Sequence, residues 1–123
     1  MKEKQKDIID HLGLEPHPEG GWYKRTYQSQ EEVGHPFIER DQNEKRFLST
    51  AIFYFLTGLD KSHFHRIKSD ETWHFYLGSG LTLLEIIPDK NQIKKTKLGP
   101  KFSEGETPQY TVKKGHWFAG HLE

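Results

Sequence analysis

Cysteine is absent from the 123 residues, which excludes disulfides and thiolate metal sites and, with them, the small secreted scaffolds that depend on cross-links. Apolar residues are scarce as well, at 33% with a mean hydropathy of −0.88. No stretch approaches the roughly 20 apolar residues that span a bilayer. Met1 to Asp10 is charged throughout rather than basic and then apolar, so no membrane partner and a cytoplasmic location are expected. Net charge is missing too. Lys plus Arg and Asp plus Glu number 18 each, so no global field draws the chain to a phosphate backbone, and nucleic acid is not expected as a partner.

What the chain does hold is aromatic and imidazole side chains. A single domain over 1–123 is expected from the length, and a core poor in aliphatics must lean on the eight Phe, five Tyr and three Trp. Eight histidines supply groups that titrate near neutrality and ligate metals.

Ile8, Ile9 and Leu12 fall at helical spacing and Gly13 can end the turn, so a short helix is expected within 1–13. His17-Pro18-Glu19-Gly20-Gly21 is a turn, whose simplest role is to shape the start of a strand over Trp22–Tyr27. Residues 30–45 are polar, with Gly34 and Pro36, and read as a loop. Phe47 to Thr57 is almost continuously apolar, and residues 51–56 leave neither strand face polar, which predicts cover on both sides and, through a second subunit, a homodimer. Short strand-like pieces recur at 63–66, 72–77, 81–87, 92–98, 108–113 and 116–122, punctuated by Gly and Pro. That rhythm indicates an all-β sandwich or barrel. The clustered Lys94, Lys95, Lys97 and Lys101 read as guards against edge pairing.

The chemistry concentrates between His63 and Gly78. His63 and His65 alternate along a strand, so their side chains are expected on one face, with Glu71 following after a turn. Two imidazoles and a carboxylate suit a divalent transition metal or, equally, a general base with its acid. Trp73 and Phe75 read as core or ligand platform, and His74 as alternating away from them.

These residues resemble the first motif of the cupin superfamily: Gly58, His63, His65, Glu71 and Gly78 occur in its order, with six residues between Glu71 and Gly78. A closer resemblance is to the uncharacterised cupin family five, carried by Leu14-Glu15-Pro16-His17-Pro18-Glu19-Gly20-Gly21, by the run from Phe64 to Gly78 and by Leu81-Thr82-Leu83-Leu84-Glu85. The resemblance implies a double-stranded β-helix, a jelly-roll-like barrel over 14–123, usually dimeric and with a ligand cavity inside. In the second motif, Lys113-Lys114-Gly115-His116-Trp117-Phe118 sets Phe118 where the fourth metal ligand is expected, and the motif's proline is missing. The last strands of the barrel are expected to be absent, and Leu122-Glu123 reads as a cloning junction.

The function expected is binding of a small polar metabolite, with metal-independent epimerisation or isomerisation of a sugar or sugar nucleotide as the reaction. His65, Glu71 and Tyr76 are the expected catalytic groups, and His63, Arg66, Trp73, His74 and Trp117 the ligand contacts. The alternatives are a non-catalytic binding protein and a metal-dependent oxygenase or isomerase, the latter with a metal on His63, His65, Glu71 and His116.

Overall fold

The computed structural model describes residues 2–33 and 46–122. Helix α1 covers Glu3–Leu12 and ends at Gly13, whose φ of 66° only glycine adopts without strain. The N–H groups of Gly13 and Leu14 turn back to the carbonyls of Asp10 and Ile9 and satisfy that helix end. Eleven strands follow among the described residues: β1 (Glu15–Pro16), β2 (Trp22–Gln28), β3 (Glu32–Val33), β4 (Arg46–Phe47), β5 (Thr50–Phe55), β6 (Lys61–His65), β7 (Glu71–His74), β8 (Leu81–Ile87), β9 (Gln92–Leu98), β10 (Gln109–Val112) and β11 (Trp117–Leu122). The chain is all-β with a short N-terminal helix, and its strand ladders are antiparallel. Most of the stretch read as a loop, 34–45, lies outside the described residues, and β3 pairs with β4 on either side of it.

Two compact units emerge. One comprises Lys2–Pro16 and Trp22–Phe55 and is built on the three-stranded sheet β1-β2-β5. Among the described residues the cover expected on both faces of β5 is incomplete. As an edge strand paired only to β2, it leaves Ile52 and Phe53 each 37% exposed.

The other unit joins His17–Gly21 to Leu56–Glu123 and holds the four-stranded sheet β6-β11-β8-β9 and the two-stranded ladder β7-β10. Antiparallel pairing fixes which side chains share a face, because residues opposite one another point the same way. Leu81, Leu83 and Glu85 of β8 therefore share a face with Phe118, Gly120 and Leu122 of β11 and with Leu98, Thr96 and Lys94 of β9. This face is the inner one. Leu81, Leu83 and Leu98 form its buried centre, against which Trp73, Phe75 and Tyr110 of the β7-β10 ladder pack. Phe118 is fully buried and meets the Trp73 ring edge-on at 6.5 Å.

Candidate functional site

The pairing of β6 with β11 contains a β-bulge: Ser62 opposes Gly120 and His65 opposes Phe118, so three steps along β6 match two along β11. The extra residue resets the alternation. Ser62 and His65 lie on the inner face, while His63 and Phe64 turn to the outer one. The sequence expectation that His63 and His65 share a face fails for this reason, since an unbroken period of two was assumed across a strand that carries a bulge.

On the inner face, His65 leans on Phe118 with ring centroids 4.3 Å apart. Its Nδ1 lies 2.7 Å from the His63 carbonyl oxygen. A carbonyl can only accept, so Nδ1 carries a proton, and in the neutral form of the ring Nε2 keeps its lone pair. Glu71 projects from β7 and accepts a 3.1 Å hydrogen bond from Trp73 Nε1. Burial pushes its carboxyl above the usual pKa, against the opposing pull of the His65 charge and the Trp73 N–H. His17 completes this group. Its Nδ1 accepts the Glu19 N–H at 2.9 Å, and burial, followed by the nearness of the His65 charge, holds its pKa below the ordinary value, with Glu19 opposing. The loop reaches β6 because Gly20, at φ 108°, has no Cβ to strike the Lys61 carbonyl, which leaves Glu19 free to accept the His63 N–H at 2.7 Å.

A second polar group sits two strands away in the same row. Glu85 is only 2% exposed. His116 Nδ1 donates to its Oε2 at 2.6 Å, and the Tyr110 hydroxyl donates to its Oε1. Burial, then this bond, raises the Tyr110 pKa, while Lys94 lies 4.8 Å from the Tyr110 ring. Sequence reasoning missed Glu85 and Tyr110. The signal was there: Glu85 continues the alternation of Leu81 and Leu83, and a carboxylate at a core position needs partners.

The remaining expected residues divide among surfaces. Trp73 joins the inner face. His74 and Tyr76 stand on the far side of the β7-β10 ladder, their rings stacked at 6.5 Å, with Gln109 Nε2 3.2 Å from His74 Nδ1. Tyr76, 70% exposed, thus lies apart from His65 and Glu71, because β7 alternation sends 71 and 73 inward and 72 and 74 outward. Arg66 and Trp117 share the outer face of the four-stranded sheet, with the guanidinium 5.3 Å from the ring centroid. Among the described residues no three His, Asp or Glu side chains gather so as to hold a metal ion. The bulge takes His63 out of the expected set, and Glu85 occupies one nitrogen of His116.

Comparison with known proteins gives the family. Residues 6–123 match the model described as Cupin superfamily (DUF985). The chain belongs to this family. Two solved structures are similar to it: a hypothetical protein from Leishmania major at 30% identity and TM-score 0.79, covering 96% of this chain and 69% of that one, and a protein of Shewanella oneidensis solved by X-ray crystallography at 34% identity and TM-score 0.81, covering 96% and 68%. A search of curated proteins returned no match. Within this cupin family, the arrangement of two polar groups about Phe118 is a property of the chain's own residues. No helix among the described residues is long and apolar enough to cross a membrane.

Proposed function

We propose that the inner face of this cupin-family chain binds a small polar metabolite and moves a proton on it, with His65 as the general base. The observation that carries the reading is the His65 tautomer, held by the His63 carbonyl so that Nε2 presents a lone pair. Glu71 supports it as the acid, since a carboxyl with a raised pKa keeps a proton to give at higher pH. Epimerisation or isomerisation of a sugar or sugar nucleotide fits this pair. Nε2 takes a proton from the carbon beside a carbonyl, the electron pair moves into an enolate, and a proton returns from Glu71 or from the His65 imidazolium. The donor set favours proton transfer over metal ligation, because His63 faces away and His116 is engaged by Glu85.

The test is to incubate the protein with a panel of aldose phosphates that open to a free aldehyde and of keto-sugar nucleotides in D2O and to follow deuterium at the carbon beside the carbonyl by NMR. Incorporation that His65→Asn abolishes, while ligand-induced shifts persist, supports the base. A panel member that binds and stays free of deuterium makes the chain a non-catalytic binding protein instead.

A homodimer is part of the same proposal, a second copy covering Ile52 and Phe53. Light scattering is expected to give about twice the 14.5 kDa chain mass. A monomeric mass at micromolar concentration rejects it.

A further inference from the structure

The outer face of the four-stranded sheet is built unlike the rest of the molecule. Register places Lys61 beside His121, Thr82 and Lys97 in one row, and Ala119 beside Leu84 and Lys95 in the next, where the bulge adds His63 and Phe64. A third row runs Trp117, Ile86 and Ile93, with Arg66 over the Trp117 ring. Four cations, Lys61, Arg66, Lys95 and Lys97, thus share this face with two histidines, His63 and His121. The described strands contribute no Asp or Glu to it, although the whole chain balances 18 acids against 18 bases. Between the cations lie exposed aromatic and apolar side chains, Phe64 at 45%, Trp117 at 41% and Ile93 at 67%. Where β6 and β11 meet, a groove of about 340 Å³ runs past Lys61, His63, Phe64, Leu84, Ala119 and His121.

We propose that this face binds single-stranded nucleic acid. Phosphates would sit on the cationic rim and bases would stack on Phe64 and Trp117, a division of labour that needs no sequence readout. A four-stranded sheet face that carries two exposed aromatics is the size that seats two or three bases. Zero net charge does not oppose this, because the potential that a ligand meets depends on where the charges stand, not on their sum. A second copy of the same face is the wrong occupant, since two-fold pairing would set four Lys and Arg cations against four. Register divides the lysines that the sequence reads as edge guards: Lys94 faces inward to Tyr110, while Lys95 and Lys97 of the edge strand β9 face out.

The experiment is fluorescence anisotropy of a fluorescein-labelled dT12 oligonucleotide with the full chain at low salt. Saturable binding is expected, weakening as salt rises with a log–log slope of about −2 to −3 for three to four phosphate contacts. The Phe64→Ala/Trp117→Ala variant is expected to bind at least tenfold more weakly, and so is Lys95→Glu/Lys97→Glu. Lys4→Glu/Lys6→Glu on α1, in the other compact unit, makes the same change in net charge and is expected to leave binding unchanged. Lys4, Lys6, Lys95 and Lys97 are exposed, and thermal melts check that each variant is folded. The proposal is overturned by no saturable binding at 100 µM protein, by equal losses in the α1 and β9 charge variants, or by an oligomer that Phe64→Ala/Trp117→Ala dissolves, which would make the face a self-association surface.

Discussion

The two faces of one sheet handle charge in opposite ways. On the inner face each ionisable group described above has a partner: Glu85 holds Tyr110 and His116, Glu71 takes the Trp73 N–H, and His65 gives its Nδ1 proton to a backbone carbonyl. The outer face gathers cations and brings no carboxylate to them from its own strands. The difference follows from solvation. A buried carboxylate without donors costs several kcal/mol, whereas a lysine in water costs little and stays available to a ligand. Inner charges are therefore bound into the fold, and outer ones can serve binding alone.

This contrast is broken hardest at Phe118. Its ring is fully buried between His65 and Trp73, so Phe118→Ala is expected to cost about 3–5 kcal/mol in urea unfolding. A loss near zero would mean that the inner face is not a packed core. Next comes Glu85→Gln, which keeps the shape but gives one of the two donors an amide N–H to face. A loss of about 1–3 kcal/mol is expected. Tyr110→Phe together with Glu85→Gln should cost less than the sum of the two single changes, because the pair shares one bond.

How far these faces could be read from sequence depends on the local regularity of each strand. The bounds of β8 and β9 follow from the apolar run Leu81–Ile87 and the turn at Pro88-Asp89, and α1 from its 3.6-residue spacing and Gly13. His65 and Glu71 lie near enough for the charge of one to act on the other, as their order along the chain suggests. The face of His63 is not legible in the same way, because a bulge is set by the partner strand and leaves no mark in β6 itself. Glu85, Tyr110 and His116 come from three strands or strand ends and meet only through pairing across 25 and 31 residues. Covalent neighbours tell nothing of such a meeting. The outer cationic face was hidden for the same reason: composition sums the charges, and only register sorts them.

A smaller effect sharpens the inner half of the comparison through pH. Glu71 has a raised pKa in the fold, so the native state binds its proton more tightly than the unfolded chain does. Its favourable contribution is complete below the unfolded value near 4.5 and is lost as pH rises through the folded one. Glu71→Gln mimics the protonated form. The melting temperature of the wild type relative to this variant should therefore fall as pH is raised upward from 4. A difference that grows with pH would mean that the carboxylate, not the acid, is the form the site holds.

The smallest expected effect belongs to the outer face. Lys95 and Lys97 are exposed and make no ion pair among the described interactions with a carboxylate of their sheet, so replacing either by alanine should change stability by no more than about 0.5 kcal/mol. The same measurement on Glu85 is expected to give several times that. If the lysine variants instead unfold as readily as Glu85→Gln, the outer cations are part of the fold's own stability, and the division of one sheet into a structural face and a binding face does not hold. If they unfold like the wild type, their clustering on one face has no account in the stability of the monomer. Its explanation then lies in what the face meets or in guarding the β9 edge against pairing.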